Sequence, residues 1–85
     1  MEIMRVVSDL VATRRVPELM NASLRVLEDV QGKLSVACDP VGAPPGKWVI
    51  TTGGSAARIA TGDMATLTDL TICGIIDLWE AGDGK

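Results

Sequence analysis

Leu70-Thr71-Ile72-Cys73-Gly74-Ile75-Ile76-Asp77-Leu78-Trp79 is apolar throughout, rich in β-branched side chains, and holds a single charge, Asp77. A run of this kind reads as a strand that wants burial on both faces, the fifth and most buried of the chain. It falls well short of the ~20 apolar residues that span a bilayer. Working back from it, residues 63–68 form a link, and Ser55-Ala56-Ala57-Arg58-Ile59-Ala60 reads as one short helix with Ser55 as its N-cap and Gly62 as its stop. Gly53-Gly54 turns the chain into that helix from a fourth strand, residues 47–52, centred on Trp48, Val49 and Ile50.

Before these lies Asp39-Pro40-Val41-Gly42-Ala43-Pro44-Pro45-Gly46, in which Pro and Gly interrupt any ladder, so the stretch is a stiff loop. Residues 33–39 form a third strand, with Leu34, Val36 and Cys38 on one face and Lys33, Ser35, Ala37 and Asp39 on the other. Gln31-Gly32 joins it as a hairpin to a second strand, residues 23–30, where Leu24 and Val26 alternate with Arg25. Residues 17–21 are a loop or single turn, and residues 3–13 a first strand that ends at Arg14-Arg15 and Pro17. The tail, residues 80–85, is small, polar and expected to be mobile. Five short strands, one short helix and no long amphipathic helix predict an all-β fold over residues 1–79, a small five-stranded OB-like barrel whose edges are removed by closure.

The chain has 85 residues and no histidine, which removes the usual proton shuttle near neutral pH, the Ser-His-Asp triad, the Cys-His pair and every His-based metal site. No cofactor or metal is expected, and no catalytic residue is assigned. Cys38 and Cys73 lack CxxC spacing and read as reduced, packed thiols. The N-terminus lacks the regions of a signal peptide, so a soluble cytoplasmic protein is expected, with no membrane partner. With 47% apolar residues and a mean hydropathy of +0.29, so small a domain has more apolar surface than one core absorbs. Burial between subunits is the natural remedy, and identical copies joined head to tail about a closed axis would supply it.

The candidate sites are sparse. Gly53-Gly54-Ser55-Ala56-Ala57-Arg58 could present amides to an anion, but it lacks the GK[ST] ending of a P-loop and the spacing of GxGxxG, so a tight turn and helix cap is the preferred reading. Arg58 pairs with a carboxylate or faces a ligand, and an ion pair is the commoner fate. Glu28-Asp29 are most simply solvated; Asp39, Asp69 and Asp77 adjoin apolar strands as caps or ion pairs. A single-stranded nucleic-acid groove needs basic charge interleaved with aromatics, whereas this chain has a net charge of -3 and no Phe or Tyr.

Four stretches in order resemble a known family: Val11-Ala12-Thr13-Arg14-Arg15, Asp39-Pro40-Val41-Gly42-Ala43, Gly54-Ser55-Ala56-Ala57-Arg58, and Asp69-Leu70-Thr71-Ile72-Cys73-Gly74-Ile75-Ile76-Asp77. Together they resemble the bacterial microcompartment vertex proteins of the EutN/CcmL type, most closely those of the alpha-type carboxysome, over residues 4–79. The resemblance implies an OB-like barrel assembling as a homopentamer that fills the vertices of a polyhedral shell. Its partners would be copies of itself and hexameric carboxysome shell proteins, its location the carboxysome shell around RuBisCO and carbonic anhydrase, its role in carbon fixation structural and not enzymatic. The resemblance also implies that Gly53, Gly54, Ser55 and Ala56 line a narrow five-fold pore, with Arg58, Asp69 and Asp77 as structural or interface charges.

Departures from the family pattern bear on that pore. Ala56 stands where a second Ser is frequent, which makes the pore less polar; Pro44 replaces Gly and Lys47 an acidic residue, stiffening the loop and reversing a charge; Ser8 replaces Gly. The alternative from another class is a small OB-like module for single-stranded nucleic acid or oligosaccharide, and a third reading is a small enzyme with residues 54–58 as an anion cradle.

Overall fold

The computed structural model describes residues 1–79; the expected tail, residues 80–85, lies outside them. Five strands, β1 (Glu2–Leu10), β2 (Leu24–Glu28), β3 (Leu34–Cys38), β4 (Trp48–Gly53) and β5 (Leu70–Ile75), close into a barrel in the order β1-β2-β3-β5-β4. A 3-10 turn (Pro17–Leu19) precedes β2, and one helix, α1 (Ser55–Ala60), connects β4 to β5. The pairings are antiparallel except at the β3–β5 seam, which is parallel and rests on a single pair, Cys38 with Thr71. This is the OB-like order expected from five short strands and one helix. The ladders end earlier than the sequence predicts: β1 stops at Leu10 and not at residue 13, and β5 at Ile75 and not at Trp79.

Two bulges set which side chains face inward. In β1, Val6 pairs with Leu27 and Ser8 with Val26, so Val7 is the extra residue. In β5, Ile72 pairs with Thr51 and Gly74 with Ile50, so Cys73 is skipped. A bulge shifts the two-residue alternation by one, which lets Ile72 and Ile75, three apart, both reach the interior. That interior is filled by Met4, Val6, Leu27, Ala37, Ala43, Val49 and Ile72, with Leu70 and Ile75 packed against it. The expectation that β5 is buried on both faces is therefore corrected. One face is core, whereas Cys73 is exposed and Leu78, past the strand, is 82% exposed. Of the two thiols expected to be packed, only Cys38 is buried.

On the β2–β3 hairpin the structure decides which of the two predicted faces is inside. Leu34 and Val36 share a face as the alternation requires, yet that face is the outside of the barrel, where they are 59% and 50% exposed; the core takes Leu27 and Ala37 instead. On β2, Leu24 is buried but Val26 only half so. Period-two patterning states which residues share a face but not which face is inside, and an apolar outer wall defeats the usual assumption. The hairpin turn is built by Asp29, whose Oδ1 accepts the amides of Gln31 at 2.8 Å and Lys33 at 2.9 Å around Gly32 at φ 85. Glu28, read as solvated, instead accepts from Arg5 Nη2 at 2.8 Å across the β1–β2 ladder. Those side chains remain 42% and 33% exposed, so a double-mutant cycle of Arg5→Ala and Glu28→Ala is expected to return a coupling of about 0.2–1 kcal/mol in urea denaturation; a coupling above about 2 kcal/mol would contradict the screened geometry.

Candidate functional site

The β4–α1 junction collects the small residues singled out in the sequence. Gly53 closes β4, Gly54 is the residue before the helix, and Ser55 and Ala56 open it; all four are exposed and contiguous at one end of the barrel. Gly54 has φ 61 and ψ -145, a conformation essentially confined to glycine, so the backbone itself requires glycine there. This corrects the expected cap: Gly54 occupies the N-cap position, Ser55 is the first helical residue, and no side chain caps the helix. The helix ends as predicted near Gly62, at φ 87, whose amide donates to the Ile59 carbonyl at 3.0 Å.

Asp69 meets this junction through its backbone. The Gly54 amide donates to the Asp69 carbonyl at 3.0 Å, and a Cβ on Gly53 would come within 3.3 Å of the same oxygen. The close approach fixes the start of β5 against the end of β4. It also uses the amide that an anion cradle would need first. The buried Thr71 hydroxyl, donating to the Ala57 carbonyl at 2.8 Å, pins the helix to β5. Arg58 is exposed, as are the carboxylates of Asp69 and Asp77, and among the described residues none of the three forms an ion pair. The structure thus brings together Gly53, Gly54, Ser55, Ala56 and the Asp69 backbone, and leaves Asp77 apart.

The loop after β3 is held by a residue whose importance the sequence only hinted at. The Asp39 side chain is fully buried; its Oδ1 accepts the amides of Val41 at 3.0 Å and Gly42 at 2.8 Å, and its Oδ2 accepts the Ala43 amide at 2.8 Å and lies 3.1 Å from Arg25 Nε. Arg25 also reaches the Ala43 carbonyl at 3.2 Å and Asp9 Oδ1 at 3.4 Å. Asp39 is both cap and ion-pair partner, and it seats Ala43 as a stopper on the core. The spacing Asp39-Pro40-Val41-Gly42 was the available signal, since Gly42 supplies φ 88 where the loop bends back over the carboxylate. Arg15 organises the loop after β1 in the same manner, donating to the carbonyls of Ala12, Met20 and Ala22 at 2.8, 3.1 and 2.9 Å. Among the described residues no group of three His, Cys, Asp or Glu side chains is placed to hold a metal, and no helix is long and apolar enough to cross a membrane.

A closed five-stranded barrel with a glycine-led helix at one end and an apolar outer wall is a recurrent structure. The family model described as ethanolamine utilisation protein EutN/carboxysome matches residues 1–77. The chain belongs to the EutN/CcmL family. It is 67% identical over 79 residues to the carboxysome shell vertex protein CsoS4B of Halothiobacillus neapolitanus, covering 93% of this chain and 98% of that protein. The solved structure of CsoS4B from the same organism superposes with a TM-score of 0.87 at 68% identity, covering 92% of this chain and all of the other. GrpN, a pentameric microcompartment shell protein from Rhodospirillum rubrum, superposes at 0.84 with 29% identity, covering 94% and 98%. The resemblance read in the four stretches and the barrel predicted from the strand pattern thus agree with the known relatives. The alternative of a small nucleic-acid or oligosaccharide module draws no support from them.

Proposed function

We propose that this chain is the vertex subunit of an alpha-type carboxysome shell, a homopentamer with a structural role. The observation that carries the reading is its likeness, over nearly the whole length of both chains, to a carboxysome shell vertex protein. The physical need is geometric. A flat layer of hexameric tiles cannot close, so a five-fold piece must replace a hexamer wherever the surface turns a corner. Each such pentamer docks its outer edge against hexameric shell proteins and seals the shell around RuBisCO and carbonic anhydrase. Sealing requires neither catalyst nor nucleic acid, in keeping with a chain that lacks histidine and carries a net charge of -3.

Gly53, Gly54, Ser55 and Ala56 are the residues proposed to surround the five-fold axis. Their small side chains and exposure at one end of the barrel support that placement, because five copies then meet without steric conflict. Arg58, Asp69 and Asp77, unpaired within the described chain, are then free to pair between neighbouring subunits or with the shell. Native mass spectrometry or light scattering at low micromolar concentration tests the assembly: a species of five 8.9 kDa subunits is expected, and a stable monomer would overturn the ring.

A further inference from the structure

Leu34, Val36 and Cys38 share one face of β3, and Ala37 on the other face is core, so all three point away from the barrel interior. The first two are exposed, yet Cys38 is buried. It is covered by two segments that meet over it, residues 17–22 before β2 and residues 61–67 before β5, with a cleft of about 330 Å³ between them lined in part by Met20, Asn21, Cys38, Thr61 and Thr66. Beneath the cover runs the β3–β5 seam, whose one pair is Cys38 with Thr71. Two bonds fasten the segments to each other. The Leu67 amide donates to the Glu18 carbonyl at 2.9 Å, and the buried Thr66 hydroxyl donates to Met20 Sδ at 3.7 Å. Met20 is also, among the described residues, the one non-glycine at positive φ, at φ 58 and ψ -149, a backbone essentially confined to glycine.

We propose that residues 17–22 and 61–67 form a strap across the β3–β5 seam that opens on its own while the barrel stays shut. A side chain persists in the conformation of Met20 only where its surroundings over-determine it, so the closed strap stores strain that opening gives back. Little apolar burial opposes the opening, since none of the residues of the 3-10 turn is buried. The turn moves as a unit because the Arg15 guanidinium ties the carbonyls of Ala12, Met20 and Ala22 together. Open, the strap uncovers the Cys38 thiol and the seam; closed, it seals both from water.

The test is alkylation of the native protein by iodoacetamide across a urea series held below the unfolding transition, read at each cysteine by peptide mass spectrometry. Cys73, which is exposed, is expected to react at once. Cys38 is expected to react slowly, at a rate that hardly changes with urea, because a local opening exposes little surface whereas global unfolding exposes much. Met20→Ala keeps the strained backbone but removes the acceptor of the Thr66 hydroxyl, so it should raise the Cys38 rate about fivefold without steepening its urea dependence. Should Met20→Ala fail to fold, Thr66→Val removes the same bond from the other side and carries the same expectation. A Cys38 rate that climbs with urea as steeply as global unfolding would overturn the strap, and so would a rate that neither variant changes.

Discussion

Replacing Asp39 by alanine is expected to destabilise the fold by about 3–5 kcal/mol, because it breaks a buried pair from one side only. Three amides, those of Val41, Gly42 and Ala43, would lose their acceptor at once, and Arg25, 19% exposed, would keep only Asp9 at 3.4 Å as a counter-charge. At about 4–8 °C per kcal/mol for a domain of this size, the thermal midpoint should fall by roughly 12 °C or more. Asp39→Asn keeps the shape and one acceptor but sets an NH2 group where an oxygen now accepts, so an intermediate loss of about 2 kcal/mol is expected. Urea denaturation at fixed protomer concentration reads both, since subunit association makes apparent stability depend on concentration. A loss below about 1 kcal/mol for Asp39→Ala would mean that the loop re-closes without its carboxylate.

Ile72→Ala should be comparably severe for a different reason. Ile72 is fully buried, pairs with buried Thr51 and packs at the centre of the core, so truncation removes apolar burial and leaves a cavity in a barrel too small to collapse around it. About 2–5 kcal/mol is expected, a large share of the 5–15 kcal/mol typical of a whole domain. Val11→Ala, at an 82% exposed position just past the end of β1, should change the unfolding free energy by less than about 0.5 kcal/mol in the same assay. Equal losses at the two positions would show that the core does not centre on Ile72.

Most of the element order was legible, because Gly and Pro punctuate the chain at the right places and β-branched runs fill the intervals. Inward and outward were not. Leu34 and Val36 were read as sharing one face, and that face is the outer wall, since alternation alone does not say which side of a strand meets the interior. The bulges at Val7 and Cys73 leave no mark in residue type, and without them the pairing of Ile72 and Ile75 with one core cannot be seen. At the candidate axis, the glycine-rich turn and its helix were placed correctly, but the cap moved from Ser55 to Gly54 because the backbone there needs φ 61 more than it needs a hydroxyl. Asp39 was read as a cap or an ion pair; that it is both follows only once the barrel brings Arg25 from another strand against the loop.

The closure of β1 on β4 also dictates timing. Residues 2–5 pair with residues 48–51, so β1 waits for β2, β3 and the loop after them before its second ladder exists. Contacts so distant in sequence form slowly, because the long intervening loop must be closed before they contribute. The outer wall that a neighbouring copy would meet is complete only once β1 has found β4.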